Sequence, residues 1–173
     1  GVQRGLTALA VVLIDAGSAA RAFVGGESRW SKAQKSAMLA LVAYAADGDE
    51  AHWQTYLEAL AVPLGDKRAR VALEQPVLDR EAVREGFLAG GIDPADIPGM
   101  IRLFRWARPL PPVAEAVSVW TEADGLIEEL DVRAKALRAA VQRGATPTQR
   151  QALLAPVLHL DAALTPLELR FSA

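Results

Sequence analysis

From Val113 to Val141 the apolar residues Val113, Val117, Trp120, Ile127, Leu130, Ala134, Leu137 and Val141 keep near-heptad spacing. At that period one face of a helix stays turned toward a neighbour. Gly144 stops this helix, and Thr146-Pro147-Thr148-Gln149 opens another through the reciprocal bonds of a capping box. In that last helix Leu153, Val157, Leu160, Leu164, Leu167 and Phe171 repeat at steps of four, three, four, three and four. Pro156 and Pro166 must kink or restart it. Two long apolar seams joined by so short a turn call for a helical bundle in which further helices cover both faces.

The rest of the chain supplies those helices. Alanine makes up about a fifth of the 173 residues and β-branched residues are sparse, so helix propensity is high nearly everywhere and the expected fold class is all-α. Leu6, Leu9, Leu13, Ala16, Ala20 and Val24 form one face of a first helix, which Gly25-Gly26 ends. Ser31 and Gln34 form a capping box for a second helix to about Ala46, with Trp30 just ahead of it. A turn at Asp47-Gly48-Asp49 leads to a third, Glu50 to Val62, with Trp53, Tyr56, Leu57 and Leu60 on one face and Pro63 as its stop. Between Pro63 and Pro112 short helical pieces follow, with Asp66, Asp79 and Asp93 as caps. The expected architecture is a single domain over 1–173. It is an elongated bundle from 1–62 and 113–173, with long first, penultimate and last helices, and a short-helix excursion over 63–112. The three long helices would measure roughly 36, 45 and 38 Å.

Composition excludes several classes of function. A net charge of −2, with no basic stripe on any helix, offers nothing to a nucleic acid. The absence of cysteine excludes disulfides and thiolate chemistry. The apolar run Leu6 to Ile14 is too short to span a bilayer. His52 and His159 lack local metal-ligand spacing, no serine sits in a nucleophile elbow, and no glycine-rich phosphate loop occurs. No catalytic residue, metal or cofactor is therefore expected.

Three groups of cations are candidates for ligand contact: Arg29, Lys32 and Lys35 beside Trp30; Lys67, Arg68 and Arg70; and Arg102, Arg105 and Arg108 around Trp106. Guanidinium groups and free N–H groups at helix starts hold anions, and tryptophans beside them cover an apolar ligand body. The candidate site is Arg29, Trp30, Lys32, Lys35, Arg68, Arg102, Arg105, Trp106, Trp120 and Asp124. Its expected ligand is a small anionic or amphipathic molecule. The plainer alternative is that acids such as Asp47, Asp49, Glu74, Glu81 and Glu85 neutralise these cations and that the aromatics are core. Asp124, four residues before Glu128, falls on the apolar seam between Trp120 and Ile127, so it is expected to be partly buried and to need a partner.

The segments FVGGESRWSKAQKSAMLALVAYA, LAVPLGDKRARVALEQP, REGFLAGGIDPADIPGMIRLFRW and LTPLELRFSA resemble the extracytoplasmic helical sensor region of bacterial inner-membrane signalling proteins. Members of that family often carry Asn-His-Pro where this chain has Ile92-Asp93-Pro94. The resemblance implies a periplasmic input domain between two transmembrane helices outside residues 1–173. A histidine kinase or a GGDEF/EAL cyclic-di-GMP enzyme would serve as output, and the full-length protein would be a homodimer. Both chain ends read as mid-helix, and both would then lie at one end of the bundle. The competing expectation is a helical dimerisation or protein-interaction module with no small-molecule ligand.

Overall fold

A computed structural model describes the backbone of residues 2–172 and the side chains of residues 2–7 and 17–170. Among them are six α-helices, one 3-10 turn and no strand: α1 (Val2–Asp47), α2 (Glu50–Leu73), α3 (Arg80–Ala89), the 3-10 turn Pro94–Asp96, α4 (Ile97–Ala107), α5 (Pro111–Gln142) and α6 (Pro147–Ser172). The all-α class and the bundle follow the sequence closely; two of the helix boundaries do not.

The first difference is α1, which runs unbroken through Gly25-Gly26 and past Ser31. Neither residue of the expected capping box caps anything. Ser31 Oγ donates to Glu27 Oε1 at 3.1 Å, and Gln34 Nε2 reaches across to Asp161 Oδ1 at 2.9 Å. The buried face of α1 includes Ala19, Ala22, Gly26, Trp30, Gln34, Ala37, Leu41 and Tyr44, so Leu6, Ala20 and Val24 of the expected stripe lie off the core. Leu6 is 62% and Val24 69% exposed. The expected Leu9, Leu13, Ala16 and Phe171 lie outside the described side chains. The glycine pair costs about 2 kcal/mol of helix propensity, and packing at Trp30 and Gly26 outweighs it.

The second difference is α2, which continues through Pro63 to Leu73. The proline removes one backbone bond, but Leu60 and Leu64 pack on the main core on either side of it. Close backbone contact follows one residue later. A β-carbon on Gly65 would lie 2.7 Å from the Gly86 carbonyl oxygen, and one on Gly86 would lie 2.6 Å from the Ala69 nitrogen. These two glycines let α2 and α3 touch backbone to backbone. The bundle's second helix thus extends to 73, and the excursion begins there rather than at 63.

The later boundaries fall where expected. Gly144, at φ +81°, closes α5 with paired bonds from Gly144 N to Val141 O and Ala145 N to Ala140 O. Thr146 and Gln149 exchange the two capping-box bonds at 2.9 and 3.2 Å. Helix α6 runs through both of its prolines. By length and composition, Pro147–Arg170 is the one segment among the described residues apolar enough to cross a membrane. Its Leu154, Val157, Leu160, Leu164 and Leu167 are buried in the bundle core.

Cross-helix contacts establish an up-down-up-down order. Arg150 donates to the carbonyls of Ala45 and Ala46, Lys35 meets Asp161, Tyr56 donates to Asp131, and Arg70 meets Asp124. On this register the C-terminal end of α6 lies level with about residue 24 of α1, so roughly 20 residues of α1, about 30 Å, overrun it. The excursion packs against that overrun. Ala19, Ala22 and Phe23 join α4 residues Ile97, Met100 and Phe104 in a second core, separate from the main core that Tyr44, Tyr56, Ile127, Leu137 and Val157 anchor.

Candidate functional site

The two cores meet around a cavity of about 60 Å³. Helix α1 lines it along one face through Phe23, Gly26, Glu27, Trp30 and Ser31, spaced as successive turns of an unbroken helix. Across from that face stand Asp66 of α2, Phe87 of α3, Met100 of α4, Trp120 and Ala123 of α5, and Glu168 of α6. The cavity is partly open to solvent, the surface it presents is almost wholly apolar, and it has space for several water molecules at the seam between the two cores.

Two polar groups beside it have no hydrogen-bond partner. Trp30 is 7% exposed and its indole Nε1–H donates to nothing; Asp66 is 5% exposed and its Oδ1 accepts nothing. Asp66 was expected to cap a helix, yet it sits inside α2, where a β-carbon on Gly90 would come within 2.0 Å of that same oxygen. Burial, then the nearby Asp124 carboxylate, pushes the Asp66 pKa up to about 8, with Arg29 opposing. Asp66 therefore holds a proton at neutral pH. Burial likewise lifts Glu168 to about 7.

Behind Asp66 lies an ion-pair network. Asp124, 1% exposed, accepts from Arg70 Nε at 2.6 Å, so the seam acid has the partner it was expected to need. Burial raises its pKa to about 6 while Arg70 and Lys67 pull it down, and it is ionised at neutral pH. Arg70 also approaches Glu74, and Lys67 pairs with Glu128.

Of the ten residues expected to share a site, the structure brings Trp30 and Trp120 to the cavity. Asp124 lies one layer behind. The cations are dispersed, and Arg29, Lys32, Lys35 and Arg68 are not at helix starts at all, because α1 and α2 are continuous there. Lys35 Nζ pairs with Asp161 at 2.9 Å and bonds Thr165 Oγ1 at 3.0 Å. Lys32 and Arg68 face solvent, as do Arg102 and Arg29, whose side chain lies along Gly91. Arg105 donates to the carbonyls of Leu73, Gln75 and Pro76, closing the C-terminal end of α2. Trp106 is 74% exposed.

No protein-family model, curated protein or solved structure matches this chain. The molecule's own geometry therefore carries the functional argument. Of the lining residues only Trp30 and Trp120 were expected; sequence reasoning missed the rest, Phe23, Glu27, Asp66, Phe87 and Glu168 among them. The signal for those on α1 was present: positions 23, 26, 27, 30 and 31 share one helical face once Gly25-Gly26 is read as interior.

One other cluster gathers ligand atoms. Asp47, Asp49 and His52, at the α1–α2 turn, place theirs within 4.8 Å of one another, a proximity that local sequence spacing did not suggest. The carboxylates are already engaged there: Asp47 accepts from Asp49 N at 2.8 Å, Asp49 caps α2 through Ala51 N at 2.9 Å, and Asp47 Oδ2 lies 3.1 Å from His52 Nε2.

Proposed function

We propose that this chain is a ligand-sensing input domain, without catalysis of its own, of a membrane-anchored bacterial signalling protein. The observation that carries the reading is the cavity's position. Its walls come from both cores and from α1 and α6, the helices that bear the two chain ends. A small molecule filling that space would tie α6 to the lower half of α1, and losing it would release them. Such a bias between two helix arrangements is the kind of change a downstream kinase or diguanylate cyclase can read. The periplasmic location, the flanking membrane spans and the type of output rest on the segment resemblance alone.

Thermal unfolding tests the sensing step. A cognate small molecule at a hundred times its Kd would stabilise the fold by about 2.7 kcal/mol, raising Tm by roughly 5–11 °C for a chain of this length. The Ala123→Leu variant, which fills the cavity, should fold and lose that response. A compound that raises Tm equally in both proteins binds elsewhere, and that result would remove the cavity from the proposal.

A further inference from the structure

The surface of the cavity decides what can occupy it. Trp30, Phe87, Ile92, Met100, Val119 and Leu167 are buried and form its walls, while Phe23, Glu27, Ser31, Trp120 and Glu168 are partly exposed and mark its mouth. Almost all of the surface they present is apolar. The polar groups nearby leave that character intact. Asp66 holds a proton at neutral pH, and its Oδ1 lies against Gly90. Glu27 Oε1 accepts from Ser31 Oγ at 3.1 Å. Arg29 acts on Asp66 through space, but its side chain is exposed, runs along Gly91 and is not part of the lining.

Water is a poor occupant of such a surface. A volume of about 60 Å³ holds about four to six waters, each of which needs about two to four polar partners. The walls offer almost none, so displacing that water with apolar atoms is favourable. An ion of either sign would exchange its hydration shell for a surface that cannot replace it. Four aromatic side chains, Phe23, Trp30, Phe87 and Trp120, supply faces and edges to an apolar body, and Phe23 and Phe87 already meet edge to face at 6.2 Å between centroids.

We propose that the cavity binds a compact, uncharged apolar molecule of about six non-hydrogen atoms, held between the buried aliphatic walls and the aromatic rings. This inference rests on the reading of the cavity as a ligand site, and it replaces the anion expected from the dispersed cations. Selectivity comes from size and from the cost of desolvating charge, since the walls present almost no group to bond.

Trp30 and Trp120 in the lining make intrinsic fluorescence the direct readout. The 173-residue chain is titrated at neutral pH with methylcyclopentane, cyclopentylammonium and cyclopentanecarboxylate, which carry a methyl, an ammonium and a carboxylate group on one ring. The expected result is that methylcyclopentane binds about tenfold or more tightly than either ion, and that Ala123→Leu abolishes its binding. Val119→Thr, which exchanges one wall methyl for a hydroxyl, should weaken methylcyclopentane by about threefold or more, and it serves as the second variant should Ala123→Leu disturb folding. Binding of either ion as tightly as methylcyclopentane, abolished by Ala123→Leu, overturns the uncharged ligand while leaving the cavity a ligand site. Methylcyclopentane binding that neither variant weakens places the probe elsewhere, and silence from all three probes has the same force: each overturns the inference together with the cavity's role.

Discussion

Asp66 is a buried acid whose protonation ties the stability of this fold to pH. Its folded pKa, about 8, stands above the ordinary value of 3.8, so the folded chain holds a proton that the unfolded chain releases. For an acid shifted in this direction, stability is fully present below the unfolded value and is lost as pH rises through the folded one. Glu168, at about 7, and Asp124, at about 6, act in the same direction. Thermal melts from pH 5 to pH 9 should accordingly show Tm falling as pH rises, more steeply in the wild type than in Asp66→Asn. The two proteins should converge in acid, where Asp66 is protonated and resembles asparagine; parallel curves would contradict the buried, partnerless carboxylate. Nothing local in the sequence announces this. Aspartate ahead of KRARVALE has the grammar of a helix cap, and only the approach of Gly90 and the depth of α2 make it an interior acid.

Helix ends determined by local chemistry were legible, and helices sustained by distant contacts were not. Gly144 and the Thr146–Gln149 pair terminate and start α5 and α6 through bonds among neighbours, so sequence alone located them. Gly25-Gly26 and Pro63 carry the same local signals, but Ile92, Trp30 and Leu60 pack across them and the helix persists. Propensity is worth about 1 kcal/mol per glycine, which a few buried side chains exceed. The same misreading hid half of the cavity's α1 wall. The contact of α2 with α3 makes a direct test of element packing. Gly86→Ala should cost about 3 kcal/mol, since its new methyl meets the backbone of Ala69 and Gly65. Gly125→Ala, in α5 with nothing within 4 Å of the added carbon, should stabilise by up to about 1 kcal/mol. Urea denaturation of the two variants would separate these effects; equal midpoints would contradict the close crossing.

In the whole molecule, α1 belongs to both cores, and the excursion packs on its Ala19–Phe23 stretch, just beyond the reach of α6. Its glycine pair lies at the level of the cavity, between the part that packs in the bundle and the Ala19–Phe23 stretch that packs with α4. A β-carbon at Gly25 would meet only the Arg29 guanidinium, at 3.8 Å. Gly25→Ala should therefore raise Tm by about 2–4 °C through helix propensity alone, a shift that differential scanning calorimetry resolves. Hydrogen exchange at the amides of residues 25–29 should slow in the same variant, and unchanged exchange would count against local weakness there. In mechanical terms, two adjacent glycines in an otherwise stiff rod some 69 Å long are a point of low bending modulus. Force applied at either end of α1 concentrates its curvature beside the cavity, so an occupant that braces this point changes how far a displacement at one end is felt at the other.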